Sequence, residues 1–185
     1  MLPDMAGLTI ELPPQAAQTE FNLRRWAEVL ADRELAKHEG RVETDRYGRA
    51  VLMEIPAPAH GILQAEIAHL LRTLLRKGKV FAECPISTAD GVRAADVAWA
   101  SPRRFAELGD AVCFPKAPEI CVEVLSPDNS KAEMDEKAAL YFDAGAEEVW
   151  LCARSGAMTF LAAGAGKPLG RSRLCPKFPR QVQGI

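Results

Sequence analysis

The chain has 185 residues, 48% of them hydrophobic and 26% charged, and a formal net charge of −2. That length supports one compact domain with a core of its own and no need of disulfides. The near-balanced charge excludes a general basic footprint for nucleic acid and leaves only local basic patches.

Cys84, Cys113, Cys121, Cys152 and Cys175 are odd in number and widely spaced, with no CxxC pair and no histidine at zinc-ligand spacing. They read as reduced, mostly buried thiols of a cytosolic protein. The N-terminal stretch carries prolines and acids where a secretory signal has a basic and then an apolar segment. No run approaches the roughly 20 apolar residues of a membrane span. The expected location is the cytoplasm, away from membranes.

Residues 1–18 are proline-rich and aperiodic, which predicts a flexible arm. FNLRRWAEVLADRELAKHEG then sets Phe21, Leu23, Trp26, Val29, Leu30 and Leu35 at helical spacing and predicts a helix capped at Gly40. RVETDRYGRAVLMEIP predicts a hairpin turning at Tyr47-Gly48. Leu63, Ile67, Leu70, Leu71 and Leu74 predict an amphipathic helix over about 59–77. KVFAECPIS and VRAADVAWA predict a second hairpin around Ala89-Asp90-Gly91, and RRFAELG a short helix. EICVEVLSPDNS is a strand ended by a Ser-Pro turn, and Ser130-Lys131-Ala132-Glu133 has the form of a capping box that starts the next helix. EEVWLCA and AMTFLAA supply two final strands. The tail, 167–185, holds Lys167, Arg171, Arg173, Lys177 and Arg180 without an acid, and reads as a solvated, frayed end or, less simply, as a phosphate-contacting arm. The order predicts an α/β fold of helices on a mixed sheet, forming one domain over 19–166.

Both faces of the strand at Glu119–Leu125 are mostly apolar, as in the middle of a covered sheet. A carboxylate there, Glu123, costs several kcal/mol unless a cation, a metal or strong donors meet it. A lone Glu near a strand end can simply pair with Arg or Lys, so companions matter. Asp96 is the first. Alternation sets it between Ala94 and Ala98, whose small side chains leave volume around an acid or serve close helix packing. Glu43 shares the polar face of the first hairpin with Arg41 and Asp45, where an ordinary exposed charge is the competing reading. Lys137 borders the apolar stripe Met134, Ala138, Tyr141 on the helix after Ser130, and either pairs with Glu133 or folds back towards Glu123.

Two or three acids converging with one lysine have a definite chemistry. Mg²⁺ or Mn²⁺ prefers oxygen ligands, commonly takes one or two protein carboxylates and leaves positions for water and phosphate oxygens. A neighbouring ammonium orients the nucleophile, and the sum is phosphodiester hydrolysis. There is no GxSxG, no glycine-rich phosphate loop and no HExxH among His38, His60 and His69.

GRVETDRYG with PAPAHG, then RAADVAWA, then PEICVEVLSPDNS followed by EMDEKAALYFDAGAEEVWLC, resembles the Uma-two family of endonucleases within the PD-(D/E)xK superfamily. The resemblance covers roughly 21–163. It implies a restriction endonuclease-like core, with Asp96 and Glu123 as metal ligands for Mg²⁺ (or Mn²⁺), and Lys137 and Glu43 completing the catalytic set. It further implies DNA as partner and a homodimer. His60 and Gln64, one helical turn apart, either face the same cleft or belong to an ordinary polar helix face. Two departures stand out: Ala95 replaces the usual Pro, and Leu125 occupies the place of the superfamily's strand lysine, so that Lys137 would substitute from the helix. The expected function is a metal-dependent endonuclease acting on DNA. Its rivals are a catalytically weak or inactive dimeric DNA- or protein-binding module and a hydrolase of another phosphate ester.

Overall fold

The computed structural model describes residues 15–127 and 129–184, and in it the elements follow the predicted order. They are α1 (Gln15–Ala31), a hairpin of β1 (Val42–Thr44) and β2 (Ala50–Leu52), α2 (Pro58–Leu74), a long hairpin of β3 (Lys79–Thr88) and β4 (Gly91–Ala100), and α3 (Pro102–Leu108). Then come β5 (Ile120–Val124), α4 (Lys131–Asp143), β6 (Glu148–Cys152) and β7 (Met158–Ala162). The main sheet runs β3-β4-β5-β6-β7. Every pairing in it is antiparallel except β5 with β6, which the α4 crossover joins in parallel. This is the mixed sheet with flanking helices, N-terminal helix and hairpin expected from the sequence.

Local chemistry accounts for the boundaries. Gly91 turns the long hairpin at φ +90, with Thr44 O so close that a Cβ would lie 2.2 Å from it. Ser130 and Glu133 form the predicted capping box, and Gly145, at φ +100, follows the far end of α4. One sheet face buries Val97, Ile120, Val122, Val124, Trp150 and Cys152 under Leu63, Ile67 and Leu71 of α2. The other buries Ala98, Cys121 and Val149 under Ala138 and Tyr141 of α4. β5 is therefore covered on both sides, as its two apolar faces require. All five cysteines are free and buried.

Three sequence expectations change. The first helix does not run to Gly40: α1 ends at Ala31, because the Asp32 carboxylate takes the amides of Glu34 and Leu35 at 2.8 and 3.2 Å and starts a 3-10 turn. At its other end α1 begins at Gln15, six residues before the apolar period becomes visible, and residues 1–14 of the expected arm lie outside the described residues. The second helix stops at Leu74, short of Lys77. The tail is not frayed. Cys175, Phe178 and Val182 are buried in the α2-side core, and the Phe178 ring lies 4.6 Å from that of Trp150. Buried Glu148 ties it down, accepting the amides of Arg173 and Leu174 at 2.6 and 3.1 Å and the Trp150 indole N–H at 2.7 Å. Basic composition suggested solvation, and the apolar residues interleaved with those charges decided the outcome.

Candidate active site

The site lies where two strands part. β4 and β5 pair at Val97↔Val122, Ala98↔Cys121 and Trp99↔Ile120, a register that would next set Asp96 opposite Glu123. The ladder stops there. The Val124 amide donates instead to Asp96 Oδ2 at 2.7 Å, so a side chain takes the place of a ladder bond and brings an acid into the gap. Asp96 and Glu123 are 2% and 3% exposed.

Each carboxylate is met from a different layer. The Tyr141 hydroxyl of α4 donates to Glu123 Oε1 at 2.7 Å, and Lys137 Nζ, one turn earlier, lies 3.0 Å from Oε2. The lysine therefore folds back to β5, while Glu133 serves the helix cap. Leu125 stands just past β5, its amide bonded to Cys152 O at 2.8 Å. The ammonium beside Glu123 thus comes from the helix.

Asp96 Oδ1 accepts Arg41 Nη1 at 2.8 Å, and His60 Nε2 of α2 lies 3.4 Å away. Gln64, one turn after His60, donates to the Asp96 backbone carbonyl and to Glu83 Oε1, both at 2.8 Å. Both α2 residues face the cleft. Glu43 is buried at 2% exposure, unlike an ordinary hairpin charge. It accepts the Ala94 amide at 3.1 Å and Arg93 Nη1 at 3.2 Å, and its Oε1 lies 3.9 Å from Lys137 Nζ. The small hairpin is thereby pinned to β4 two residues from Asp96.

These contacts set the charges. Burial pushes Glu123 up to about 7, against the pull of Lys137 and with the Asp96 charge adding to the rise. Burial also works against ionised Asp96, but the His60 hydrogen bond, the Arg41 charge and the Val124 amide together hold its carboxyl below the usual range. The bond to Asp96 raises His60 above its ordinary value. Burial disfavours charge on Lys137, yet Glu123 and Glu43 outweigh it and raise its proton affinity. At neutral pH Asp96 is an anion, Lys137 a cation, and Glu123 is poised between its two forms.

Sequence reasoning passed over Arg41, Glu83, Arg93 and Tyr141 as working members. Tyr141 carried a signal, since it lies four residues after Lys137 on the same helix face. So did Arg41, two residues before Glu43. Glu83 carried none. It sits in β3 at φ +50, the one non-glycine residue with positive φ among those described, and its oxygens reach Arg41 at 3.2 Å and Gln64 at 2.8 Å. Not every buried acid belongs here: Glu119 accepts from the Ser101 amide and hydroxyl at 3.0 and 2.5 Å and holds α3 against β5.

Fold and site together define an α/β protein whose central sheet opens at one point around paired carboxylates and a lysine. The chain belongs to the Uma2 family, described as "Putative restriction endonuclease", whose profile matches residues 26–161. Among solved structures it is similar to a protein from Anabaena variabilis described as a "putative nuclease belonging to DUF820", at 19% identity and a TM-score of 0.59, over 69% of this chain and 74% of that one. That likeness establishes a common fold. No curated protein matches the chain.

The donor chemistry of the gap fits a hard cation. The available ligands are carboxylate oxygens, and the field already holds a cation, the Arg41 guanidinium, against Asp96 and Glu83 at 2.8 and 3.2 Å. Among the described residues no set of three or more His, Cys, Asp or Glu is arranged to hold a metal. A divalent ion would therefore have the pair Asp96 and Glu123, with its other positions left to water and phosphate.

Proposed function

We propose that the protein is a metal-dependent endonuclease that hydrolyses phosphodiester bonds of DNA. The observation that carries this reading is the placement of Asp96 and Glu123 at the mouth of the β4–β5 gap with the Lys137 ammonium 3.0 Å from Glu123. Asp96 and Glu123 are the residues that would hold Mg²⁺ or Mn²⁺. Such an ion, when bound, lowers the pKa of a water and neutralises charge on the phosphate. Lys137 orients the attacking water and meets negative charge as it gathers on the phosphoryl oxygens. Tyr141 fixes the Glu123 carboxylate, and Glu43 holds the hairpin and faces Lys137, which keeps the ammonium between two acids. His60 and Gln64 hold Asp96 from the α2 side. The proposal includes the homodimer, which sedimentation of the purified chain tests.

Calorimetric titration of Mg²⁺ and Mn²⁺ into the wild type and the Asp96→Asn/Glu123→Gln variant, alongside plasmid nicking, decides the matter. The wild type should bind the ion and nick DNA, and the double variant should lose both by a hundredfold or more. Equal metal binding by the two proteins would sink the proposal. The reading of a catalytically silent binding module draws on one observation: Arg41, the Val124 amide, Lys137 and Tyr141 already occupy all four oxygens of the carboxylate pair. In that case the wild type binds DNA without nicking it.

A further inference from the structure

Arg41 makes three ion pairs at once, with Asp96 at 2.8 Å, Glu83 at 3.2 Å and Glu43 at 3.6 Å. Its backbone is fixed, since its carbonyl accepts the Met53 amide at 2.8 Å across the small hairpin. Its side chain is held only by side-chain partners, the three acids and the Met53 sulfur at 3.6 Å, and borders open space. The side chain is 18% exposed, and Arg41 lines a partly open cavity of about 320 Å³ walled by Trp26, Val29, Glu83 and Ala94. The small Ala94, which the sequence left open between close packing and spare volume, lies on that cavity.

Glu83 supplies the second half of the argument. A left-handed residue inside a regular strand is strained and persists only where surroundings enforce it. Here the strain turns a half-exposed carboxylate towards Arg41 and Gln64, giving the guanidinium an anchor separate from Asp96. A guanidinium and a divalent ion cannot both rest on Asp96 without strong repulsion at a few ångström. That repulsion favours displacement of Arg41, which has both space and a second carboxylate, Glu83, to move on.

Resting on the metal-dependent reading above, we infer that Arg41 is the resident cation of this centre. It neutralises Asp96 until a divalent ion binds, yields that carboxylate, and pivots about its Glu83 contact into the cavity mouth. There its free N–H donors meet a non-bridging oxygen of the substrate phosphodiester, an anion whose geometry suits the planar fork of arginine.

Mn²⁺ titration by calorimetry at fixed pH and ionic strength tests the exchange in wild type, Arg41→Gln and Arg41→Lys, with a thermal melt of each to confirm the fold. Arg41→Gln should bind Mn²⁺ at least tenfold more tightly than wild type, and adding Asp96→Asn should abolish the gain. Arg41→Lys, with one compact charge and a weaker hold on three acids, should fall between and carries the test if the glutamine variant does not fold. With Mn²⁺ saturating, Arg41→Gln should bind a short phosphorothioate duplex at least tenfold more weakly than wild type. Unchanged or weaker Mn²⁺ binding in both variants, or unchanged duplex affinity, overturns the inference and leaves the nuclease reading standing. Absence of Mn²⁺ binding in every variant overturns both.

Discussion

Glu119, Glu123 and Glu148 are all buried acids of the central strands and their approaches, and only their partners tell them apart. Glu119 and Glu148 accept from backbone amides and neutral side chains and hold segments in place. Glu123 faces an ammonium and a phenol at the opening of the sheet, and its ordinary value of 4.5 rises to about 7. Between those two values the folded protein keeps a proton that the unfolded chain has lost. The stability this lends is complete below about 4.5 and is lost as pH rises through about 7. Denaturant titrations at several pH values should therefore show wild type losing up to ~1.4 kcal/mol per pH unit across this window relative to Glu123→Gln. A Glu123→Gln protein with the wild-type pH slope would contradict the assignment. Tyr141→Phe removes the donor to Oε1 and should cost about 1–2 kcal/mol with little change in packing, measurable in the same titration.

At the scale of elements, β5 and α4 divide a carboxylate–ammonium pair that one strand could hold. Alternation sets residues 121, 123 and 125 on one face of the β5 line, so a lysine at 125 would share the side of Glu123. Lys137→Ala should reduce plasmid nicking at least a hundredfold, and adding Leu125→Lys should recover at least tenfold of the loss. A Lys137→Ala protein with full nicking would remove the lysine from the mechanism. β3 offers a stability test of its own. A β-branched side chain tolerates the left-handed region poorly, so Glu83→Val should cost roughly 1–3 kcal/mol, whereas Glu83→Asn should be close to neutral. The Ser-Pro turn, the capping box and the alternation of β4 and β5 were legible because each is a local pattern with a local cause. The left-handed Glu83 was not, because position 83 of KVFAECPIS is neither glycine nor asparagine, and its partners, Arg41 and Gln64, come from the hairpin and α2, distant in sequence.

For the molecule as a whole, the tail completes the core. Phe178 and Val182, 4% and 1% exposed, cover the Trp150 side of the sheet, and Glu148 pins the chain that delivers them. Truncation after residue 166 should leave an aggregating or unfolded chain. Glu148→Ala should cost about 2–4 kcal/mol by denaturant titration and expose the tail to limited proteolysis. The described helices include none long and apolar enough to cross a membrane. By itself the sequence determined the order of elements, the two-sided burial of β5 and the acids worth attention, because periodicity, caps and turns act over a few residues. Only the tertiary structure decided that β4 and β5 part beside Asp96 and Glu123, and that Lys137 folds back where Leu125 leaves the strand without a lysine. It alone brought Arg41 from a distant hairpin among three of the acids. Those outcomes depend on residues 14 to 55 positions apart meeting across layers, and the free energy of such a meeting belongs to the assembled core rather than to any segment.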